Sequence, residues 1–410
     1  MDTQTFHRIA DQYLKPFFSG AELSDNFEVS TPRESCVALK DPCTIVFKLQ
    51  QADKQRLVLR RSQPFEQPHA GVSEKKVVEA FLSVLRKVEN AIGSSYEADI
   101  LSTFQRRVVI EALFPQEAHQ MGLLAIDQLA KWSTRLYEGR PVAASFGYVP
   151  GKPPVADLDL SKIAREDFSA VLSNGYDTIL VLSDDGSLHG YEALQAPQNA
   201  PAFAPYRQSA IAHWATERRV ALVLNRLGEL LVFKEQKLIF ARRSGQWHLL
   251  THEPIITQIS KPAEKAIRKA VYESCLDASF ARTGACIGIV TSNNRTKWKA
   301  LVPRTEDRLA DQSSTKTRAL VRMINGQSFQ NLDRRMRMEI LAIDGATLID
   351  HDGHVLAAGA ILKIPGGSES GGRRAAAKAL SKLGVGVKVS ADGGIAGFID
   401  EIDTPKFLIM

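Results

Sequence analysis

At 410 residues, with 44% hydrophobic and 24% charged side chains, the chain is long enough for two or three globular domains of ordinary composition. No apolar run approaches the ~18 residues that a membrane span needs. Cys36, Cys43, Cys275 and Cys286 show no Cys-x-x-Cys pairing, which excludes the usual zinc knuckle and redox pair and leaves buried free thiols as the reading. The opening Met1–His7 lacks the basic-then-apolar layout of a signal peptide, so a cytoplasmic protein is expected. The net charge is +6, and residues 291–340 alone hold 11 Lys/Arg against 5 Asp/Glu. Such a stretch suits nucleic acid or the border of a site for an anionic nucleotide. Sparse aromatics there, Trp298 and Phe329, favour the second.

Residues 1–146 are expected to form an α+β domain. Phe6, Ile9, Ala10, Tyr13 and Phe17 recur at helical spacing between Thr5 and Phe18. Cys36–Leu39, Thr44–Phe47 and Leu57–Leu59 read as strands between polar turns. From Ser73 to about Tyr137 the pattern is helical, with Val77, Val78, Phe81, Leu82 and Leu85 on one face. No His, Cys or carboxylate cluster at ligand spacing marks this region, and His69 and His119 read as loop and helix-surface residues. A sensory role is its expected use.

Gly147–Pro154 reads as a Gly/Pro linker. Residues 155–258 follow as a β-rich middle domain. Thr178–Leu182 precedes the turn pair Asp185-Gly186, and strands are expected near Val220–Leu224, Leu230–Phe233, Leu238–Phe240 and Trp247–Leu250. The spacing predicts an antiparallel meander of about six strands, with Trp247 in its core.

Residues 262–402 alternate helix and strand. Pro262 opens a helix with Ala266, Ile267, Ala270, Val271, Cys275 and Ala278 on one face, leading into a strand at Gly284–Val290. Residues 291–315 read as a long polar loop, and Ala319, Leu320, Met323 and Ile324 mark a helix. Strands at Ala346–Asp350 and Val355–Leu362 flank a hairpin at Asp352-Gly353. A helix from Arg373 and strands at Val385–Ser390 and Ile395–Ile399 close a mixed sheet, an α/β sandwich. Between strand and helix lies Pro365-Gly366-Gly367-Ser368-Glu369-Ser370-Gly371-Gly372-Arg373-Arg374. Glycines permit positive φ and close approach, and a helix start aims unpaired N–H groups at an anion. Two guanidiniums add charge-assisted donors for phosphate oxygens. This reads as a polyphosphate site.

Thr283-Gly284-Ala285-Cys286-Ile287-Gly288-Ile289-Val290, then Asp344-Gly345-Ala346, then Gly371-Gly372-Arg373-Arg374-Ala375-Ala376-Ala377 and Val387–Asp392 together resemble the diadenylate cyclase domain of bacterial cyclic-di-AMP synthases. The resemblance spans roughly residues 262–400. Where the family has Gly-Thr-Arg-His-Arg-Ala-Ala, this chain puts Gly372 for threonine, Arg374 for histidine and Ala375 for the second arginine. Ile343 stands where the family often has histidine.

The resemblance implies condensation of two ATP into the second messenger cyclic di-AMP by domains meeting face to face, with Mg²⁺ or Mn²⁺. It implies catalytic roles for Asp344, Arg373 and Arg374, and nucleotide contacts from Gly345, Ala346, Gly371, Gly372, Arg373, Arg374 and Ser390. Asp344 and Asp392 are the implied metal contacts. Lys363 and Lys378 could add to the positive field or be solvated surface. A nucleotide-binding module with weak or absent catalysis is the alternative. The family's DNA-binding helices have no counterpart after Phe398, so DNA binding is not expected.

Overall fold

A computed structural model of the chain describes residues 1–25, 35–49, 56–65, 72–153, 155, 158–260, 263–364 and 371–410. The expected loop Pro365–Ser370, His69 and Pro262 lie outside the described residues. The chain is mixed α/β and divides into two compact units, Met1–Thr251 and His252–Met410. No helix among the described residues is long and apolar enough to cross a membrane.

In the first unit, strands Glu22–Ser24, Arg56–Arg60, Thr44–Lys48 and Val37–Asp41 form an antiparallel sheet in that spatial order. Helix Glu74–Val88, capped by Ser73, buries Val77, Val78, Phe81, Leu82 and Leu85 as their spacing predicts. The amphipathic start is not one α-helix. An α-helix over Thr3–Ile9 widens into a π-helix over Ala10–Leu14 and tightens into a 3₁₀ turn at Lys15–Phe17. Pro16 supplies the reason: its ring would collide with the Gln12 carbonyl if the α ladder continued.

The second sheet of this unit has seven strands, ordered Gln246–Leu249, Lys237–Arg243, Leu230–Lys234, Val220–Leu224, Ala144–Tyr148, Thr178–Leu182 and Leu188–Ala193. It is a meander at one end only. The stretch read as the start of a linker is a strand, Ala144–Tyr148. It inserts between Val220–Leu224 and Thr178–Leu182 and runs parallel to the latter. All five of its residues are buried, so Gly147 and Tyr148 serve the core rather than a hinge. Trp247 is buried, as its neighbours suggested.

The second unit contains α1 (Lys265–Ala281), β1 (Ala285–Val290), α2 (Thr315–Ile324), α3 (Arg334–Ala342), β2 (Ala346–Asp350), β3 (Val355–Ala360), α4 (Gly372–Ser381), β4 (Gly384–Val389), β5 (Ile395–Ile399) and β6 (Phe407–Ile409). The sheet order is β3-β2-β1-β4-β5-β6, with β1 and β2 parallel and every other neighbouring pair antiparallel. Strand β6 was not foreseen from the sequence. It pairs with β5 at Gly397, where the Phe407 ring fills the space a side chain would need. The expected loop 291–315 contains short 3₁₀ turns and a helical turn, Trp298–Leu301, because Trp298 and Val302 are drawn into the core.

Helix α1 is buried on nearly all sides, so its Glu273 and Asp277 need partners. Helix α3 supplies them. Arg334 holds Asp277 through two bonds of 2.7 and 2.8 Å, and Arg337 donates to Glu273 at 2.8 Å. Part of the basic stretch is thus internal. Arg308 caps the carbonyls of Val302 and Lys299, and Lys316 pairs with Asp307.

Helix α4 crosses the sheet where Gly288 of β1 faces Gly386 of β4. A Cβ on Gly386 would overlap the Ala377 carbonyl, and one on Gly288 would come within 2.9 Å of Leu380. Gly386→Ala should therefore cost on the order of 2 kcal/mol or more, since overpacking moves backbone. Gly372→Ala, with nothing within 4 Å of the added methyl, should be neutral or stabilise by about 0.5–1 kcal/mol. Urea unfolding of the two variants beside the parent measures both.

Candidate functional site

Strand register decides which residues can meet. Ile287 of β1 is level with Thr347 of β2 and Val387 of β4, and Ala285 pairs with Val389. Gly284, Asp344 and Ser390 therefore share one end of the sheet, on three adjacent strands. Asp344 and Ser390 lie just beyond the two strands that flank the one Gly284 leads into.

Gly345 has φ +112°, and a Cβ there would lie 2.6 Å from the Gly359 carbonyl carbon and 2.8 Å from the Ala360 nitrogen. Gly359 is also left-handed at φ +58°, and a Cβ on it would overlap Ile343. The glycine of the Asp-Gly-Ala run is thus demanded by the close approach of β2 and β3. Its turn leaves Asp344 exposed, and the carboxylate makes no hydrogen bond or ion pair among the described residues. The Ala346 methyl packs in the core, so this residue can offer a ligand its backbone alone.

Helix α4 starts after Gly371, at φ +87°, with no side chain capping it. Its first-turn N–H groups and positive dipole end lie on the same side of the sheet as Gly284. Arg373 folds across Gly284: a Cβ at 284 would sit 2.7 Å from the guanidinium carbon. Arg373 has no partner among the described residues. Its charge is felt at Cys286, where burial pushes the thiol up to about 12 and the guanidinium opposes the rise. Arg374 goes elsewhere. It donates to the Asp403 carbonyl at 3.1 Å and lies 5.8 Å from the Phe398 ring centre. Lys378 also pairs with Asp403, which fixes both cations over the β5–β6 connection. Successive helix positions diverge by about 100°, so Arg373 and Arg374 are not brought together.

Ser390 closes the β4–β5 turn. Its N–H donates to the Gly394 carbonyl, and its carbonyl accepts from Gly393, both at 2.9 Å. Ser279 of α1 donates to the Gly393 carbonyl and anchors the turn from below. Asp392 is exposed and accepts only from the Gly394 N–H, at 3.3 Å. Asp344 and Asp392 are each hard, uncommitted oxygen donors of the kind Mg²⁺ or Mn²⁺ takes. Lys363 is tied through its backbone to Leu301.

The pairing of Gly284 with Arg373 is the contact that sequence reasoning missed. Its one signal was a glycine directly before a buried strand. Among the described residues, the one group of three metal-type donors within mutual reach is Asp350, Asp352 and His354, at the other end of β2. Asp352 is already paired with Arg295, and Asp350 accepts from two backbone N–H groups of its own hairpin.

No family model matches the chain, and no curated protein matches it. Among solved structures it is similar to a double mutant of DacA from Staphylococcus aureus, with 21% identity over 36% of this chain and 90% of that one, at a TM-score of 0.25. A hypothetical membrane-spanning protein from Bacillus cereus matches with 20% identity over 38% of this chain and 74% of that one, also at 0.25.

The thiols give a check on this packing. Cys275 and Cys286 are fully buried and their pKa values are raised chiefly by burial, whereas Cys36 and Cys43 are half-exposed, contrary to the expectation that all four are buried. Alkylation at pH 8 should modify Cys36 and Cys43 in the native protein, with Cys275 and Cys286 reacting only after unfolding. Mass spectrometry of peptides from labelled protein reads this directly.

Proposed function

We propose that residues 252–410 bind ATP at the sheet end carrying Gly284, Asp344, Arg373 and Ser390, and that two such domains facing each other condense two ATP into cyclic di-AMP. One observation carries most of the weight. An exposed carboxylate and a guanidinium, both without partners among the described residues, share one sheet end with an uncapped helix start. A structural ion pair would have used both.

In this reading Arg373 and the first N–H groups of α4 hold phosphate oxygens, Arg373 through a charge-assisted fork. Gly371 and Gly372 let the backbone come close. Asp344 orients the ribose 3′-hydroxyl and would contact Mg²⁺ or Mn²⁺, with Asp392 as a second contact. The ion, when bound, supplies neutralising charge to the phosphates. The 3′-oxygen of one ATP forms a bond to the α-phosphorus of the other as the bond to pyrophosphate breaks. The hydroxyl proton passes to Asp344 or solvent. Repetition with the roles exchanged closes the ring and releases a second pyrophosphate. A cytosolic, self-associating enzyme follows from this reading, with residues 1–251 as its regulator.

A second reading, binding without turnover, is favoured by Arg374. It stands at the position of the family's histidine, is committed to Asp403 and Phe398, and can neither donate a proton as histidine does nor reach the phosphates beside Arg373.

Incubation of the full chain with ATP and Mn²⁺ or Mg²⁺, followed by anion-exchange chromatography, should yield cyclic di-AMP and pyrophosphate, with specific activity falling on dilution. Asp344→Asn should lower the rate by on the order of a hundredfold, a few kcal/mol in the barrier. ATP binding without product would select the second reading. Absence of both would overturn the nucleotide site itself.

Calorimetry separates the two arginines. Arg373→Ala should weaken ATP binding more than about tenfold while sparing adenosine, because a charge-assisted bond contributes roughly 1.5–3 kcal/mol. Arg374→Ala should change it less than about threefold. Equal losses from both substitutions would move the phosphates away from Gly284.

A further inference from the structure

Within residues 1–251 a cleft of about 270 Å³ opens between the π-helical turn Ala10–Leu14, helix Phe104–Leu113 and the strand pair Lys237–Arg243 and Gln246–Leu249. Two guanidiniums line it, Arg106 from the helix and Arg242 from the strand, and the Arg106 charge is felt at Arg242. Arg106 pairs with Asp127 through one terminal nitrogen. The Arg242 side chain makes no hydrogen bond or ion pair among the described residues. Burial and Arg106 together lower its pKa.

The neighbouring residue shows how this unit treats an arginine that is purely structural. Arg243, on the opposite face of the same strand, is buried against Glu229 at 2.5 Å. Arg61 is likewise buried against Glu74 at 2.7 Å. A cleft lined by two cations, of which Arg106 has a carboxylate partner and the Arg242 side chain has none among the described residues, departs from that pattern. Like charges held together and half-desolvated cost stability, and such arrangements collect at sites that receive a counter-charge.

The rest of the wall sets the kind of counter-charge. Leu101 and Ile126 give it apolar surface, and Gln105 is held in place by accepting from the Trp247 N–H and donating to the Tyr13 carbonyl. That carbonyl belongs to the π-helix, a rare conformation often found at functional sites. The volume is several times the ≈30 Å³ share of one water in the liquid. A bare inorganic ion would leave the apolar part unfilled.

We propose that this cleft binds a small organic anion, a carboxylate or phosphate on a ring-sized apolar body, whose oxygens bridge Arg106 and Arg242. The site is independent of the nucleotide reading for residues 252–410. It gives the first unit a ligand class of its own.

Titration calorimetry of the full chain with benzoate, phenyl phosphate, benzamide and inorganic phosphate tests it. Saturable binding of benzoate or phenyl phosphate is expected, at least tenfold tighter than neutral benzamide and tighter than inorganic phosphate. Arg242→Gln should weaken that binding at least tenfold while leaving the thermal unfolding midpoint equal or higher, since a like-charged neighbour of Arg106 is gone. Arg242→Lys, which keeps the charge and loses the fork, should fall between; it stands in if the glutamine variant does not fold. No saturation by either organic anion, binding unchanged in the variants, or benzamide binding as well as benzoate would each overturn the proposal. Inorganic phosphate binding as tightly as phenyl phosphate would overturn the organic ligand class.

Discussion

Helix α4 rests on the backbone of β1 and β4, and residues without side chains are what allow it to come so close. Gly288 and Gly386 are register partners directly beneath it, and Ala377 is the helix residue whose carbonyl meets Gly386. Leu380 packs against Gly288 and into the core with Cys286 and Leu348. The helix axis is fixed by this contact, and so is the point where the helix begins. A methyl group at either glycine would lift the helix and carry Arg373 away from Gly284. The candidate site depends on a packing constraint one to two turns away from it.

The same unit handles charge in two ways. Glu273 and Asp277 lie in a helix buried on nearly every side, and they are tolerable there because Arg337 and Arg334 meet them with direct bonds. Removing one partner from such a buried pair typically costs 3–5 kcal/mol, because the other charge is left stranded. At the open end of the sheet the opposite holds. Asp344 and Arg373 lie at an edge where water can solvate them, so the fold does not require that either be paired. Groups of this second kind are available to a ligand.

A similar contrast runs through residues 1–251. Arg61 and Arg243 are neutralised by Glu74 and Glu229 inside the unit. Arg106 and Arg242 share a cleft in which Asp127 answers Arg106, while the Arg242 side chain has no partner among the described residues. The π-helical turn beside that cleft arises because Pro16 interrupts the α ladder. A local backbone constraint thereby shapes the wall of a charged cavity.

Much of the fold was legible because burial on one face leaves a period in the chain. Thr44–Phe47, Val77–Leu85, Val220–Leu224 and Gly284–Val290 each carried an apolar pattern that the described elements bear out in type. Helix α3 was not legible. Its Arg334-Arg335-Met336-Arg337 start looks solvated, and nothing local says that Arg334 and Arg337 face acids on α1, more than fifty residues earlier. Strand Ala144–Tyr148 was obscured by the glycines and prolines that follow it, and only pairing with distant strands makes it central. At the site, the sequence alone determined the types of residue: a carboxylate before a glycine, and glycines before two arginines. Tertiary structure decided which of them meet, because the parallel register of β1 and β2 put Asp344 and Gly284 at the same end of the sheet, while the rotation of one helix position sent Arg373 to Gly284 and Arg374 to Asp403.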